Sequence, residues 1–184
     1  METNLKIYNN DWYQPGGAIK RTLWLIINAL FFNNGLALFN GFKLFLLRRF
    51  GATIGEGVVI KPSVSIKYPW FLTVGSHVWI GENVWIDNLT EVIIGNHVCI
   101  SQGVMLLTGN HDYTKPSFDL IIGKIILEDG VWLGAQSVVC PGITCGSHAV
   151  LAVNSTATKN LEAYSIYQGN PAVKVRDRKI KTNN

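Results

Sequence analysis

The sequence is poor in charged residues, in cysteines and in long hydrophobic runs, and each shortage argues against a class of protein. Only 15% of the 184 residues are charged and 48% are hydrophobic, which argues against a disordered chain. Three cysteines without a CxxC pair argue against a disulfide scaffold or a zinc ribbon and are typical of a reducing compartment. The N-terminal residues lack the pattern of a signal peptide, so we expect a cytoplasmic protein.

The longest apolar runs fall within residues 22–47 and are too short to cross a membrane. Each run holds about a dozen residues, whereas a spanning helix needs ~18–20. The runs therefore predict helices in an N-terminal extension, residues 1–50, that pack on the end of a larger body. The alternative is that residues 22–47 rest on the surface of the inner membrane, with Arg48 and Arg49 near the lipid headgroups.

Positive charge is concentrated in the C-terminal tail, residues 163–184. The formal net charge of the chain is +4, and residues 174–181 alone account for it. A nucleic-acid-binding domain would carry a basic face across its body, so the composition argues against a nucleic-acid partner. The tail is either a solvated terminus or the place where an anionic ligand binds.

From Ile54 onward, an aliphatic residue recurs at every sixth position. Thirteen of the fifteen positions in this series hold Ile, Leu or Val. An α-helix cannot use a period of six, because six residues turn by ~600° and drift off any face. The period is the hexapeptide signature of a parallel β-helix, in which three short strands form one coil. We expect an all-β domain of about five coils over residues 51–162.

One interruption of the repeat, residues 109–124, marks the candidate functional region. Excursions of this length from a solenoid are usually functional or disordered, and Tyr113 and Phe118 argue against disorder. His111 stands at the end of the interrupted coil, beside this excursion. An imidazole there suits a general base, with a loop-capping histidine and a metal ligand as the alternatives.

The other three histidines occupy one repeated position. His77, His97 and His148 each stand fourth in a hexad, and each of these hexads is the first of its coil. The repeat therefore predicts that they share one corner of the prism as exposed structural residues.

Several segments resemble the left-handed β-helix acyltransferases, also called hexapeptide-repeat acetyltransferases. The segment DGVWLGAQSVVCPGITCG at 129–146 is similar to the stretch that follows their catalytic loop, and YQGNPAVKV at 167–175 is similar to their coenzyme A end. Within this superfamily, YPWFLTVGSHVWIGENVWIDNL at 68–89 and CISQGVMLLTGNHDY at 99–113 resemble the WcaF-type colanic-acid biosynthesis acetyltransferases. The resemblance covers nearly the whole chain.

The resemblance implies a left-handed parallel β-helix that acts as an O-acetyltransferase. The expected reaction moves an acetyl group from acetyl-CoA directly to a hydroxyl of a saccharide in exopolysaccharide biosynthesis, and it requires no metal. The saccharide acceptor would be carried on a nucleotide or on a lipid. The family also implies a homotrimer with its active sites between subunits.

The resemblance further assigns roles to single residues. His111, in TGNHDY, matches the catalytic general base, and Asp87 and Asn88, in WIDNL, match polar positions that face the acceptor. Glu91 precedes His111 by twenty residues, which is one coil, so the corner at 87–91 is expected beside the histidine.

The expected coenzyme site holds seven further residues. Trp132 matches an aromatic residue near the thioester end of coenzyme A. Ala135 and Val153 match positions whose backbone groups bond the pantetheine arm. The residues that match the site of the adenosine phosphates are Thr158, Lys159, Lys174 and Arg176.

Two other functions fit a hexapeptide β-helix. A γ-type carbonic anhydrase would hold zinc through three converging histidines, but His77 and His97 share a corner that differs from that of His111. A non-catalytic assembly scaffold would need neither the TGNHDY segment nor the basic GNPA end. Bound coenzyme would support the acetyltransferase, and bound zinc would support the anhydrase.

Overall fold

A computed structural model describes residues 2–36 and 39–181. The predicted segments 22–47 and 163–184 thus include residues 37–38 and 182–184, which lie outside the described part.

The helices are α1 (Ala18–Phe31) and α2 (Asn40–Arg49), with short 3-10 turns at Leu5–Ile7 and Pro69–Phe71. The strands are β1 (Thr53–Ile54), β2 (Val59–Ile60), β3 (Ser65–Ile66), β4 (Leu72–Val74), β5 (Trp79–Ile80), β6 (Trp85–Asp87), β7 (Val92–Ile94), β8 (Cys99–Ile100), β9 (Met105–Leu107), β10 (Gly109–His111), β11 (Leu120–Ile122), β12 (Ile125–Leu127), β13 (Trp132–Leu133), β14 (Val138–Val139), β15 (Thr144–Cys145), β16 (Val150–Leu151), β17 (Thr156–Ala157), β18 (Ser165–Gly169) and β19 (Ala172–Asp177).

Three parallel sheets form the faces of a prism. Face 1 contains β1, β4, β7, β12 and β15; face 2 contains β2, β5, β8, β13, β16 and β18; face 3 contains β3, β6, β9, β14 and β17. Successive strands of the repeat belong to successive faces, so three strands complete one coil. The predicted left-handed parallel β-helix is confirmed, with five complete coils and a sixth, incomplete coil begun by β18.

The aliphatic residue of each hexad points into the prism and forms its core. Ile66, Ile80 and Leu106 are fully buried, as the six-residue period requires. The pairing of Val74 with Ile94 shows coils of twenty residues, and later coils shorten to eighteen. Burying one such side chain stabilises the fold by about 1.5–3 kcal/mol, so the stacked coils supply the main driving force for folding.

The three structural histidines occupy a left-handed corner. His77, His97 and His148 have φ values between 56° and 60°, and the His77 and His97 rings stack with centroids 5.1 Å apart. Gly130 occupies the same corner between His97 and His148, and a Cβ there would lie 2.6 Å from the His148 ring. These histidines therefore serve the turns, as the repeat predicts. His77 and His97 are exposed as predicted, but His148 is half-buried, because its ring stacks on Tyr164 with centroids 4.8 Å apart.

Helices α1 and α2 cover the first coil, whose strand edges would otherwise lack partners. Trp24 is buried and donates its indole N–H to the Ile66 carbonyl at 2.7 Å. Asn28 and Asn40 accept the amides of Ile66 and Ile60, and Lys43 donates to the carbonyl of Ile60. The polar residues that interrupt the apolar segment thus provide hydrogen-bond partners for backbone N–H and C=O groups at the edge of the first coil.

The other end of the β-helix is covered by the tail. Strand β19 folds back antiparallel on β18, which extends face 2 past the predicted boundary at residue 162. Arg178 fixes the tail by donating to the carbonyls of Gly130 and His148 at 2.9 and 3.0 Å. None of the helices in residues 2–36 and 39–181 has the length and apolarity needed to cross a bilayer.

Candidate active site

His111 lies on a hairpin that leaves the β-helix at the edge between faces 3 and 1. Strand β10 pairs antiparallel with β11, and His111 faces Leu120 in this pair. The imidazole stacks on the Phe118 ring, with centroids 4.5 Å apart, and its Nδ1 lies 2.9 Å from the Phe118 carbonyl oxygen. Because a carbonyl only accepts, Nδ1 carries the proton and Nε2 is left free to accept one.

The neighbouring carboxylate, Asp112, does not orient the histidine. Its Oδ1 accepts the backbone amide of Thr114 at 3.1 Å, and hydrogen bonds from Thr114 lower the pKa of the Asp112 carboxyl. The group that orients His111 is therefore the backbone carbonyl of Phe118. No side-chain pattern marks a carbonyl as a hydrogen-bond acceptor, which is why the sequence did not identify it.

The N-terminal segment, residues 4–16, forms one wall of a cavity of about 390 Å³ beside His111. The Tyr8 ring lies 5.8 Å from the imidazole between centroids, and the Tyr13 hydroxyl donates to the Leu89 carbonyl at 2.6 Å. Sequence analysis assigned no role to this segment. Tyr8 and Tyr13 could have pointed to a role in the site, but their spacing matches no motif.

A second cavity of about 460 Å³ adjoins the first, between α1 and the β-helix. Arg21, Lys67 and Tyr68 line both, so the two cavities meet at these residues. We call the two together the acceptor cleft. Asp87, predicted to face the acceptor, lines the second cavity, where its carboxylate accepts from Lys67 Nζ at 2.8 Å.

Two predicted acceptor residues are not among those that line the cleft. Asn88 is fully buried, and its side-chain amide forms two hydrogen bonds with the backbone of Tyr68. The amide oxygen accepts the Tyr68 N–H at 3.0 Å, and the amide nitrogen donates to the Tyr68 carbonyl at 2.6 Å. Glu91 lines neither cavity, because the twenty-residue register ends at Leu107, where the hairpin departs. Of the corner at residues 87–91, it is Leu89 that lines the cavity beside His111.

A groove of about 810 Å³ lies on face 2 and on the edge between faces 2 and 3. Ala135 and Val153 line it, and their backbone amides have no acceptor among the described residues. At Gly134 the next coil approaches so closely that a Cβ would lie 2.6 Å from the Val153 nitrogen. Four of the predicted coenzyme residues share this face-2 groove: Trp132, Ala135, Val153 and Arg176.

The remaining three predicted coenzyme residues lie elsewhere. Lys174 points out of the groove and pairs with Glu162 and Asp177, at 2.9 and 3.0 Å, and these partners raise its pKa. Thr158 and Lys159 follow β17 at the edge between faces 3 and 1, which is the edge that carries His111. In one chain, the groove and the histidine thus occupy different edges of the prism.

No group of three His, Cys, Asp or Glu side chains able to hold a metal occurs within the described ranges. The three cysteines are unpaired, and burial raises the pKa of Cys145 to about 12, which keeps this thiol protonated. The arrangement is therefore one histidine in a cleft and a separate groove with two free backbone amides and two arginines, Arg176 and Arg178.

Comparisons with known proteins agree with this geometry. The chain is 40% identical over 166 residues to a protein named as a colanic acid biosynthesis acetyltransferase, WcaF, of Escherichia coli K12, which covers 90% of this chain and 91% of that one. It is 30% identical over 141 residues to the galactoside O-acetyltransferase of E. coli K12, covering 72% of this chain and 66% of that protein. A hexapeptide-repeat acetyltransferase of Vibrio cholerae, solved with acetyl coenzyme A, matches with a TM-score of 0.81 at 22% identity, covering 95% and 97% of the two chains. No protein-family model matches the chain.

The fold, the groove and the histidine define the class of hexapeptide-repeat acetyltransferases. This confirms the predicted acetyl-CoA-dependent acyltransferase and decides against the carbonic anhydrase and the scaffold. Within that class, the chain belongs to the WcaF-type colanic acid biosynthesis acetyltransferases, because the likeness extends over nine-tenths of its length.

Proposed function

We propose that this protein transfers an acetyl group from acetyl-CoA to a hydroxyl of a saccharide in exopolysaccharide biosynthesis, with His111 as general base. The observation that carries the proposal is the contact between His111 Nδ1 and the Phe118 carbonyl, which leaves Nε2 as the ring nitrogen available to accept a proton, at a histidine that lines the acceptor cleft. The relatives named for colanic acid and galactoside acetylation support a saccharide as the acceptor.

The chemistry is a direct transfer. Nε2 of His111 takes the proton of the acceptor hydroxyl as its oxygen forms a bond to the thioester carbon. The carbon–sulfur bond then breaks, and the imidazolium returns the proton to the departing thiolate of coenzyme A. General base catalysis of this kind typically contributes ~10²–10⁴-fold, and holding both substrates together supplies further acceleration.

The face-2 groove is the proposed donor site. The free amides of Ala135 and Val153 suit the amide oxygens of the pantetheine arm, and Arg176 suits a phosphate. The Trp132 ring, fixed by its indole N–H to Ser101 Oγ at 3.0 Å, offers an apolar surface to the acyl end.

We place the complete site between copies of the chain, in the homotrimer expected from the sequence. One copy would present His111, Thr158 and Lys159 along one edge, and the face-2 groove of a neighbouring copy would present the coenzyme to them. The support is that a single chain separates these residues onto two edges. Thr158 and Lys159 would then reach the phosphates from the histidine's side.

Residues 22–47 are proposed to contact the inner membrane from the cytoplasmic side. Helices α1 and α2 expose apolar side chains, among them Leu30, Phe42 and Phe45. No acidic residue occurs between Asp11 and Glu56, so basic residues alone flank this surface, which suits anionic lipid. Co-sedimentation with phosphatidylglycerol vesicles tests this, and we expect the Phe42→Ser/Phe45→Ser variant to stay in the supernatant. Equal sedimentation of both proteins would exclude the contact.

The direct test of the proposed function is calorimetric titration of acetyl-CoA into the wild type and into His111→Ala, with oligomer mass measured on the same samples. We expect both proteins to bind, and only the wild type to release free thiol in the presence of a saccharide acceptor. No binding by a correctly assembled wild type would contradict the proposal.

A further inference from the structure

Two cationic side chains meet where the two halves of the acceptor cleft join. Arg21 comes from the first turn of α1, and Lys67 follows β3 on the opposite wall. Both line both cavities, and the first of these cavities contains His111. A group bound between Arg21 and Lys67 would therefore occupy the same cleft as the reacting hydroxyl.

These two cations are not neutralised by their surroundings. Within residues 2–36 and 39–181, the Arg21 guanidinium forms neither an ion pair nor a hydrogen bond. Lys67 pairs with Asp87, but an ammonium group has three donors and this contact uses one. The junction thus carries one carboxylate against two cations and keeps a net positive charge.

The neighbouring phenol adds no negative charge to the junction. Tyr13 lies against this junction, and burial together with Tyr68 and Asp87 raises its pKa, so its hydroxyl stays protonated. Charge-assisted bonds from arginine and lysine are the usual way in which proteins hold phosphate and carboxylate groups. A neutral saccharide alone would leave the Arg21 guanidinium without a partner of opposite charge.

We propose that the acceptor saccharide carries an anionic oxygen group, a phosphate or a carboxylate, and that Arg21 and Lys67 bind it. The inference rests on the proposed function, since it names the class of acceptor that enters the cleft of His111. Arg21 and Lys67 are then specificity-determining residues. They select an acidic or phosphate-linked saccharide over a neutral one and position its hydroxyl at Nε2.

The test is direct binding of two small probes, pyrophosphate for the phosphate source and glucuronate for the carboxylate source. Each is titrated into the wild type, Arg21→Gln, Lys67→Gln and the control Lys20→Gln. Lys20 is adjacent on α1, but its ammonium lies over the Trp70 ring, 4.3 Å from the centroid, and lines neither cavity. We expect one probe to bind saturably, with a loss of ~10–100-fold in Arg21→Gln and Lys67→Gln and none in Lys20→Gln.

The outcomes separate this inference from the proposed function. The probe that binds identifies phosphate or carboxylate as the source of the charge. Absence of saturable binding by either probe, or equal binding by all four proteins, would overturn the anionic acceptor. Acetyl-CoA is titrated into the same four proteins. If it binds all of them equally while the probes do not bind, the acetyltransferase stands and only this inference fails. If it binds none, the proposed function itself fails.

Discussion

The face-2 groove, proposed for the donor, and the acceptor cleft differ in how the chain builds them. The groove lies on regular coils, and Trp132, Ala135 and Val153 occupy positions that the hexapeptide repeat defines. The cleft combines the first two coils, which contribute Lys67 and Asp87, with segments outside the repeat: the N-terminal segment, α1 and the hairpin at 109–122.

This difference separates two tasks of the enzyme. A coenzyme common to many acyltransferases can be held by backbone amides that the repeat supplies at fixed spacing. The acceptor differs between enzymes, and we expect it to be read by Lys67 together with side chains on segments outside the repeat, which can change without disturbing the coils. Substitutions in the two regions should therefore affect the binding of different substrates.

The largest effect is expected at the histidine. His111→Ala should lower kcat by ~10²–10⁴-fold, because it removes the proton acceptor, and should leave the dissociation constant of acetyl-CoA unchanged. His97→Asn is the matched control, since asparagine tolerates the left-handed corner at φ 56° and His97 lines neither the groove nor the cleft. Equal loss in both variants would mean that His111 supports the fold and not the reaction.

The next largest effect is expected at the floor of the groove. Gly134→Ala places a Cβ 2.6 Å from the Val153 nitrogen, and the resulting overpacking should cost about 1–3 kcal/mol of stability. Displacement of the Val153 amide should also weaken acetyl-CoA binding by about tenfold, measured by calorimetry. Gly41→Ala, where a Cβ would meet nothing within 4 Å, should bind acetyl-CoA as the wild type does. Unchanged binding by Gly134→Ala would remove the groove as the donor site.

A smaller effect, on the acceptor rather than on acetyl-CoA, is expected at the wall of the cleft. Tyr13→Phe removes the hydrogen bond to the Leu89 carbonyl, which should lower the free energy of unfolding by about 0.5–1.5 kcal/mol. The KM for the acceptor should rise several-fold, while acetyl-CoA binding stays constant. Tyr113→Phe, at a side chain that is 79% exposed, serves as the control. An increase in the acetyl-CoA dissociation constant would contradict the separation of the two sites.

The smallest effect is expected in the basic tail. Lys174→Gln should change acetyl-CoA binding little, because the ammonium is exposed and already paired with Glu162 and Asp177. Arg176→Gln should weaken binding several-fold, and the loss should diminish at high salt as the phosphate contact is screened. Calorimetry at two salt concentrations measures both. Equal losses in the two variants would show that the tail acts only through its net charge.

The regular part of the molecule was predictable because its signal is periodic. One aliphatic residue in six identified the β-helix, and the shared hexad position of His77 and His97 predicted that they share one corner, where the structure stacks their rings. The turn-forming role of these histidines followed from the same repeat.

The acceptor cleft was predictable only in part. His111 and Asp87, matched by the resemblance, both line the cleft, and their roles stay predictions. Glu91, placed by coil arithmetic, does not line it, because the hairpin ends the register at Leu107. Asn88 proved to hold the backbone of Tyr68. Contacts such as His111 to the Phe118 carbonyl depend on how a non-periodic loop folds, and no sequence spacing encodes them.

We propose that the histidine edge of one copy works with the groove of another, and subunit complementation is the decisive test of this arrangement. His111→Ala is mixed in equal amounts with a groove variant, Val153→Glu/Arg176→Glu, and the two are dissociated and reassembled together. Each variant alone should be nearly inactive. Sites shared between copies predict recovery of about one quarter of wild-type activity, because a quarter of random neighbouring pairs join an intact histidine to an intact groove. No recovery, although native mass spectrometry shows mixed oligomers, would contradict the shared site.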